Sequence, residues 1–210
     1  MYQTREQHRQ RPKERPKERP RGAARRDAIL RAAIELVGEE GPDALTHRAV
    51  AERAGVAVSA TTYWFSSKEE IFREAVALAA GEEVERFERL VLELAPRHVA
   101  PADWAREVST ALAADVQADP ARPIALYEFL LEAARQPSLR DEVARWEEAQ
   151  LRLAEAGLRA AGSDDPETDA HVVVATITGL ILGQLTTPRS DFEQTILRPA
   201  LERLFTRLAP

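Results

Sequence analysis

The stretch Thr46-His47-Arg48-Ala49-Val50-Ala51-Glu52-Arg53-Ala54-Gly55-Val56-Ala57-Val58-Ser59-Ala60-Thr61-Thr62-Tyr63-Trp64-Phe65 decides how this chain is read. It reads as two short helices that meet at a turn containing Gly55, a residue that adopts a left-handed backbone without a Cβ penalty. Thr46 is placed to cap the first helix. Ala51 is small enough for the helices to cross closely, and Val50, Ala54, Val56 and Phe65 supply a miniature core. Leu45 and the preceding Ile29, Leu30, Ala33 and Leu36 complete it. This is the pattern of a helix-turn-helix, whose second helix enters the DNA major groove.

Outward from that stretch the chain stays helical in period, rich in Ala, Leu, Glu and Arg. A first helix is expected from about Ala23 to Glu40, stopped by Gly41-Pro42. Val58 to Phe65 forms the third, and Ser67 with Glu70 makes a capping box for a long fourth that ends before Pro96. Pro101 opens a fifth that ends before Asp119-Pro120; Pro123 opens a sixth that Pro137 closes. Ser138 with Asp141 starts a seventh, running to Gly162. Asp165-Pro166 begins the eighth, Pro188 breaks it, and Ser190 with Glu193 boxes the ninth. No segment alternates as a half-buried strand does. The fold class expected is all-α, with about nine helices.

The 210 residues carry a net charge of −6, which at first sight does not suit a nucleic-acid partner. Its distribution does. Residues 1–26 hold ten Arg or Lys against three Glu, a local +7, and the rest of the chain therefore carries −13. Residues 1–22 read as a disordered basic arm, with Arg-Pro-Lys-Glu at 11–14 repeated at 15–18; proline every fourth residue blocks both helix and strand. The arm is either a solvated tail or a segment that follows the DNA backbone or enters the minor groove. Cysteine is absent, which removes disulfides and thiolate metal sites. The first 26 residues lack an apolar stretch, and the longest apolar run, Val172 to Leu182, is too short to span a bilayer. A cytoplasmic protein without membrane attachment is expected.

The segment from Ala24 to Phe72 resembles the DNA-binding domain of the TetR family of bacterial transcriptional regulators. The matching residues are Ile29-Leu30, Ala32-Ala33 and Leu36, then Gly41 followed by Leu45-Thr46, then Val50-Ala51, Ala54-Gly55-Val56, and Tyr63-Trp64-Phe65-Ser66-Ser67-Lys68-Glu69. The family often has a basic or polar residue where Val58 sits and an aromatic where Thr62 sits, so its base code does not carry over. The resemblance implies a helix-turn-helix domain over 23–72 and a regulatory and dimerisation domain over 73–210.

In that frame Val58, Ala60 and Thr62 offer apolar or methyl contacts to base edges, while Ser59 and Thr61 offer hydrogen bonds to a base edge or a phosphate. By resemblance Tyr63 and Trp64 flank the groove and bond sugar-phosphate oxygens. Thr46 and Arg48 hold a phosphate at the start of the second helix, and Lys68 does so from the fourth. A lysine in a first helical turn opposes the helix dipole, so an external anion explains it better than solvent does.

In the eighth helix Ala175, Gly179 and Gly183 form a stripe of small residues that admits another backbone. The rest of that helix is nearly apolar all round, as burial on several sides requires. The ninth offers Phe192, Ile196 and Leu201. By resemblance these two helices pair with their twins in a homodimer, placing two recognition helices about 34–36 Å apart and so requiring a palindromic operator on double-stranded DNA. A small-molecule effector, mostly apolar, is expected among Phe87, Trp104, Tyr127, Leu130, Trp146, His171 and Thr178. Leu90, Leu94, Leu112, Phe129 and Gln184 lie on the same helices. No cofactor, metal or catalytic residue is expected, since four scattered histidines and no glycine-rich phosphate loop give an enzyme little support. The function expected is a sequence-specific repressor released by its effector. The alternative is an architectural or division-linked DNA-binding protein controlled by protein partners.

Overall fold

The computed structural model describes residues 20–94 and 97–209. Among these there are nine α-helices and no strand: α1 Pro20–Glu40, α2 His47–Arg53, α3 Val58–Trp64, α4 Lys68–Leu94, α5 Pro101–Ala118, α6 Ala121–Arg135, α7 Arg140–Ala161, α8 Pro166–Thr186 and α9 Arg198–Leu208. The expected arm, residues 1–22, lies mostly outside the described residues. Its last three belong to α1, because proline at the first helical position costs no hydrogen bond and presets φ.

Several punctuation marks act as the sequence requires. Thr46 Oγ1 accepts from Ala49 N at 3.1 Å, and Asp165 Oδ1 accepts from Thr168 N at 3.3 Å. Gly162 closes α7 at φ +92, in the left-handed region that glycine fills without strain. The box before α4 forms with a shift. Ser67 Oγ accepts from Glu70 N at 3.1 Å, but the Glu70 carboxylate reaches past Ser67 to Ser66 N and Oγ, each at 2.7 Å.

The ninth helix does not start from a Ser190–Glu193 box. Glu193–Leu197 is instead a π-helical segment in which Arg198 N donates to Glu193 O, five residues back. Pro199 has no N–H for the ordinary ladder, and the wider turn accommodates that loss. The Glu193 carboxylate is engaged by Arg198 and by Thr110 Oγ1.

The core has two centres. The first joins Ile29, Ala33 and Val37 of α1 with Val50, Phe65 and Ile71, and continues into Phe129 of α6 and Trp146 of α7. Phe72 and Phe129 meet edge to face at 5.2 Å inside it. Residue 72, the expected end of the head, therefore falls within α4 and within a continuous apolar core. Gly38 of α1 lies against the start of α6, where a Cβ would overlap the Ala121 carbonyl. The second centre packs Trp104 and Ala105 of α5 against Leu158, Val173, Ile181, Leu197, Leu201 and Phe205. Gly157 makes it possible: a Cβ there would overlap the Trp104 indole.

α8 departs from expectation. Within the protomer only Ala170, Val173 and Ile181 are buried, although the helix is long and apolar enough by composition to cross a bilayer. Val172, Ala175, Gly179, Leu182 and Gly183 are exposed along it. The helix is not surrounded by its own chain.

Candidate nucleic-acid interface and ligand cavity

α2 and α3 are held at their angle by the turn between them. Gly55 takes φ +64, and Val56 N donates to Ala51 O at 2.9 Å. Arg53 at the end of α2 bonds Glu39 at 2.8 Å and Glu40 at 3.2 Å, tying α2 to the end of α1. Arg26 ties α1 to α4, paired with Glu74 at 2.6 Å, and is stacked over Phe65 at 5.6 Å.

That scaffold turns one face of α3 outward. Val58, Ser59, Thr62 and Tyr63 are exposed, Tyr63 by 73%, and Ala60 is half-buried. Thr61 is the exception. It is fully buried, its hydroxyl donating to Val58 O at 2.8 Å and lying 3.1 Å from His47 Nδ1. The expectation that Thr61 meets a base edge is thus corrected: at this position α3 faces α2, and the hydroxyl locks the two helices together. Trp64 is half-buried and carries Tyr63 edge to face at 5.0 Å. Its indole rests on α1 at Gly22, where a Cβ would stand 3.4 Å from Cζ2.

Thr46, Arg48 and Lys68 are exposed at the helix N-termini flanking α3, and among the described residues Arg48 and Lys68 have no carboxylate partner. Two residues were missed in the sequence. His47 supports Thr61 from below. Arg25, counted there only toward the basic charge, is exposed and lines a groove of about 480 Å³ with Gly22, Ser59, Tyr63 and Trp64. The groove forms only because α1 passes beside α3, a contact that linear spacing does not reveal.

In the body, a cavity of about 690 Å³ opens between α4, α5, α6, α7 and α8. Phe87, Tyr127, Leu130, Trp146 and Thr178 line it, together with Leu112. Tyr127 Oη donates to Thr178 O at 3.1 Å, and burial pushes the phenol up to about 12. Carboxylates outnumber guanidiniums around the rim: Glu82, Glu83, Glu85, Asp115, Asp119 and Glu147 against Arg86, Arg89 and Arg122. Glu83 is buried and bonded by Arg122 at 2.9 Å and Arg86 at 2.8 Å. Arg122 is held above its ordinary value; burial alone would lower it, but the Glu83 and Glu82 carboxylates prevail.

Other expected pocket residues lie elsewhere. Trp104 and Leu90 line a second cavity. His171 is exposed on α8, facing away from both, because the α8 surface that turns to the core carries Ala170 and Val173 instead. Phe129 is buried in the first core, and Gln184 closes the α8 turn by bonding Arg189 N and O. The side chain of Leu94 lies outside the described residues. On the expected dimer face Ala175, Gly179 and Gly183 are exposed, whereas Phe192 and Leu201 are buried in the protomer and Ile196 is half-buried against its second core. α9 packs on α5 and turns Leu201 inward, so Leu201 and Phe192 are already covered, and Ile196 in part.

Residues 29–75 match the family model described as bacterial regulatory proteins of the tetR family, and residues 99–210 match the tetracyclin repressor-like C-terminal domain. The multidrug binding protein EbrR, solved with ethidium, is 32% identical; the likeness covers 86% of this chain and 97% of that one, with TM-score 0.62. A TetR-family member from Streptomyces coelicolor A3 is 30% identical over 89% of this chain and 98% of its own, with TM-score 0.62. A transcriptional regulator from Rhodococcus sp. Rha1 shares the fold at TM-score 0.68 and 24% identity, over 87% of this chain and 95% of that one. No curated protein matches the sequence at a significant level. With both of its parts matched and relatives aligned over almost their full length, the chain belongs to the TetR family of transcriptional regulators and carries that family's DNA-binding domain.

Proposed function

We propose that this regulator is a homodimeric repressor that holds a palindromic operator through α3 and releases it when a small molecule fills the larger cavity. In this reading the head, residues 23–72, reads DNA and the body, residues 73–210, dimerises and senses. The observation that carries it is the outward face of α3, with Val58, Ser59, Thr62 and Tyr63 turned to solvent, together with exposed Arg48 and Lys68, which make no ion pair within 4.0 Å among the described residues. Apolar and hydroxyl groups face the bases while the cations meet phosphate on either side. Thr46 joins them through the N-terminus of α2, and Trp64 buttresses Tyr63.

The exposed stripe of Ala175, Gly179 and Gly183 supports the dimer. An apolar helix left uncovered by its own chain gains most by packing on a second copy, and glycines let the backbones approach. The effector reading rests on the cavity. Its volume suits a drug-sized molecule, its walls are aromatic and aliphatic, and its rim is acidic, which favours a cation. EbrR, among the relatives above, has been solved with ethidium and with proflavin, both planar aromatic cations. The presence of such a cavity favours ligand control over the architectural alternative.

The test is selection of bound fragments from random DNA by the full-length protein, repeated with proflavin added. A two-fold symmetric sequence that is lost when proflavin is present supports the whole reading. Recovery of fragments with no shared sequence ends it; a symmetric sequence that proflavin leaves bound removes the effector half.

A further inference from the structure

The larger cavity shares part of its lining with a neighbour. Phe87, Leu112, Val174 and Ile177 form a wall common to it and to a second cavity of about 320 Å³, set among α4, α5, α7, α8 and α9. The two spaces differ in chemistry. The smaller is walled by Leu90, Trp104, Val108, Leu153, Ala154 and Phe205. Its charged residues largely neutralise one another: Arg97 grips Glu107 with two bonds of 3.0 and 2.8 Å, and Arg86 bonds Asp115 at 2.9 Å where the cavities adjoin. A charged group gains little there, whereas an apolar chain that packs on these walls leaves water. In the wall that the cavities share, the Phe87 ring lies under the Arg86 guanidinium, 4.8 Å away.

We infer that the two cavities are one site for a cationic amphiphile, with the charged ring system at the acidic rim of the larger cavity and an alkyl chain running past Phe87 into the smaller. This rests on the larger cavity being the effector site, and adds to it a ligand class and a second compartment. The ring alone gains rim electrostatics, which salt screens; the chain adds about fourfold in affinity for each methylene removed from water.

The experiment uses 10-alkylacridinium ions with methyl, hexyl and decyl chains, titrated calorimetrically against the full-length protein. Affinity rises steeply from methyl to hexyl, then levels off as the smaller cavity fills. Ala154→Phe, which occupies that cavity, abolishes the rise and leaves methylacridinium binding unchanged; the milder Ala154→Leu brings the plateau to a shorter chain. If methylacridinium binds but lengthening the chain adds nothing, or if both variants keep the wild-type slope, the two-compartment site is wrong and the effector cavity stands. If none of the three ions binds, the reading of the larger cavity falls, and this inference with it.

Discussion

Arg31 of α1 and Arg122 of α6 hold opposite oxygens of a single carboxylate, that of Glu82 in α4, at 2.5 and 3.2 Å. Glu82 lines the larger cavity, and Arg31 belongs to the helix that carries the DNA-binding head. The Glu82 bond, with a second from Asp27, keeps Arg31 above its ordinary value. A group entering the cavity thus meets a side chain already bonded to the head. Such a junction couples the two sites if effector and operator favour different arrangements of it. Glu82→Gln is expected to shrink the ratio of operator affinities without and with proflavin by several-fold. Because these pairs are partly exposed, stability should change by no more than about 1 kcal/mol. Fluorescence anisotropy on the selected operator, with and without proflavin, checks the first, and thermal unfolding checks the second.

Thr61 of α3 and Lys68 of α4 should separate cleanly. Thr61→Val removes the bond to Val58 O and the contact with His47, costing about 1 kcal/mol, a fall in Tm of about 2–4 °C. Sequence preference should survive. Lys68→Ala should do the reverse: unchanged Tm, weaker binding to every sequence, and a salt slope reduced by about 1. A base-specific loss on Thr61→Val would return that residue to the reading face.

The α8 stripe gives a test of the dimer that spares the protomer. A Cβ at Gly179 or Gly183 meets nothing within 4 Å, and Gly179 is exposed, so Gly179→Arg starts into open space in its own chain. The variant is expected to sediment as a monomer with native helicity, and to bind the two-fold operator at least tenfold more weakly. A dimer of wild-type affinity would place the interface elsewhere.

Gly157→Ala should be far more damaging than an exposed glycine substitution in a helix, which ordinarily gains stability. Here the new methyl overlaps the Trp104 indole, which is itself packed on Phe205 at 6.4 Å. Overpacking of this kind costs about 1–3 kcal/mol. Thermal unfolding followed by circular dichroism reads it directly, and a raised Tm would show that Trp104 has room to retreat.

Tyr127 predicts an alkaline transition. Its phenol is pushed up to about 12 from 10.0 by burial, so the folded state holds the proton more tightly than the unfolded chain. Stability from this group is therefore complete below pH 10 and lost as pH climbs toward 12. The phenol also remains a donor to Thr178 O throughout the neutral range. Tyr127→Phe should remove the corresponding late step from an absorbance titration at high pH; persistence of that step assigns it to another tyrosine.

Much of this protein was legible in its linear order. Caps, prolines and glycines mark chain direction within a few residues, so Thr46, Gly55, Gly162 and Asp165 located helix ends without any tertiary information. The small residues of α8 and the two helices around Gly55 were equally plain, because a stripe or a turn is a property of neighbours along the chain. What the sequence left open is which of two similar faces meets a partner. Thr61 and Thr62 are chemically alike, yet only the approach of α2 buries one and exposes the other. Phe192 and Leu201 could cover a second copy or their own α5, and His171 could point into the body or out of it; the packing angle of whole helices chose. The wall shared by two cavities is likewise invisible in any one helix, since Phe87, Leu112 and Ile177 come from three. Local chemistry fixes where helices begin and end, but their mutual burial is a contest among distant surfaces, and only the assembled fold decides it.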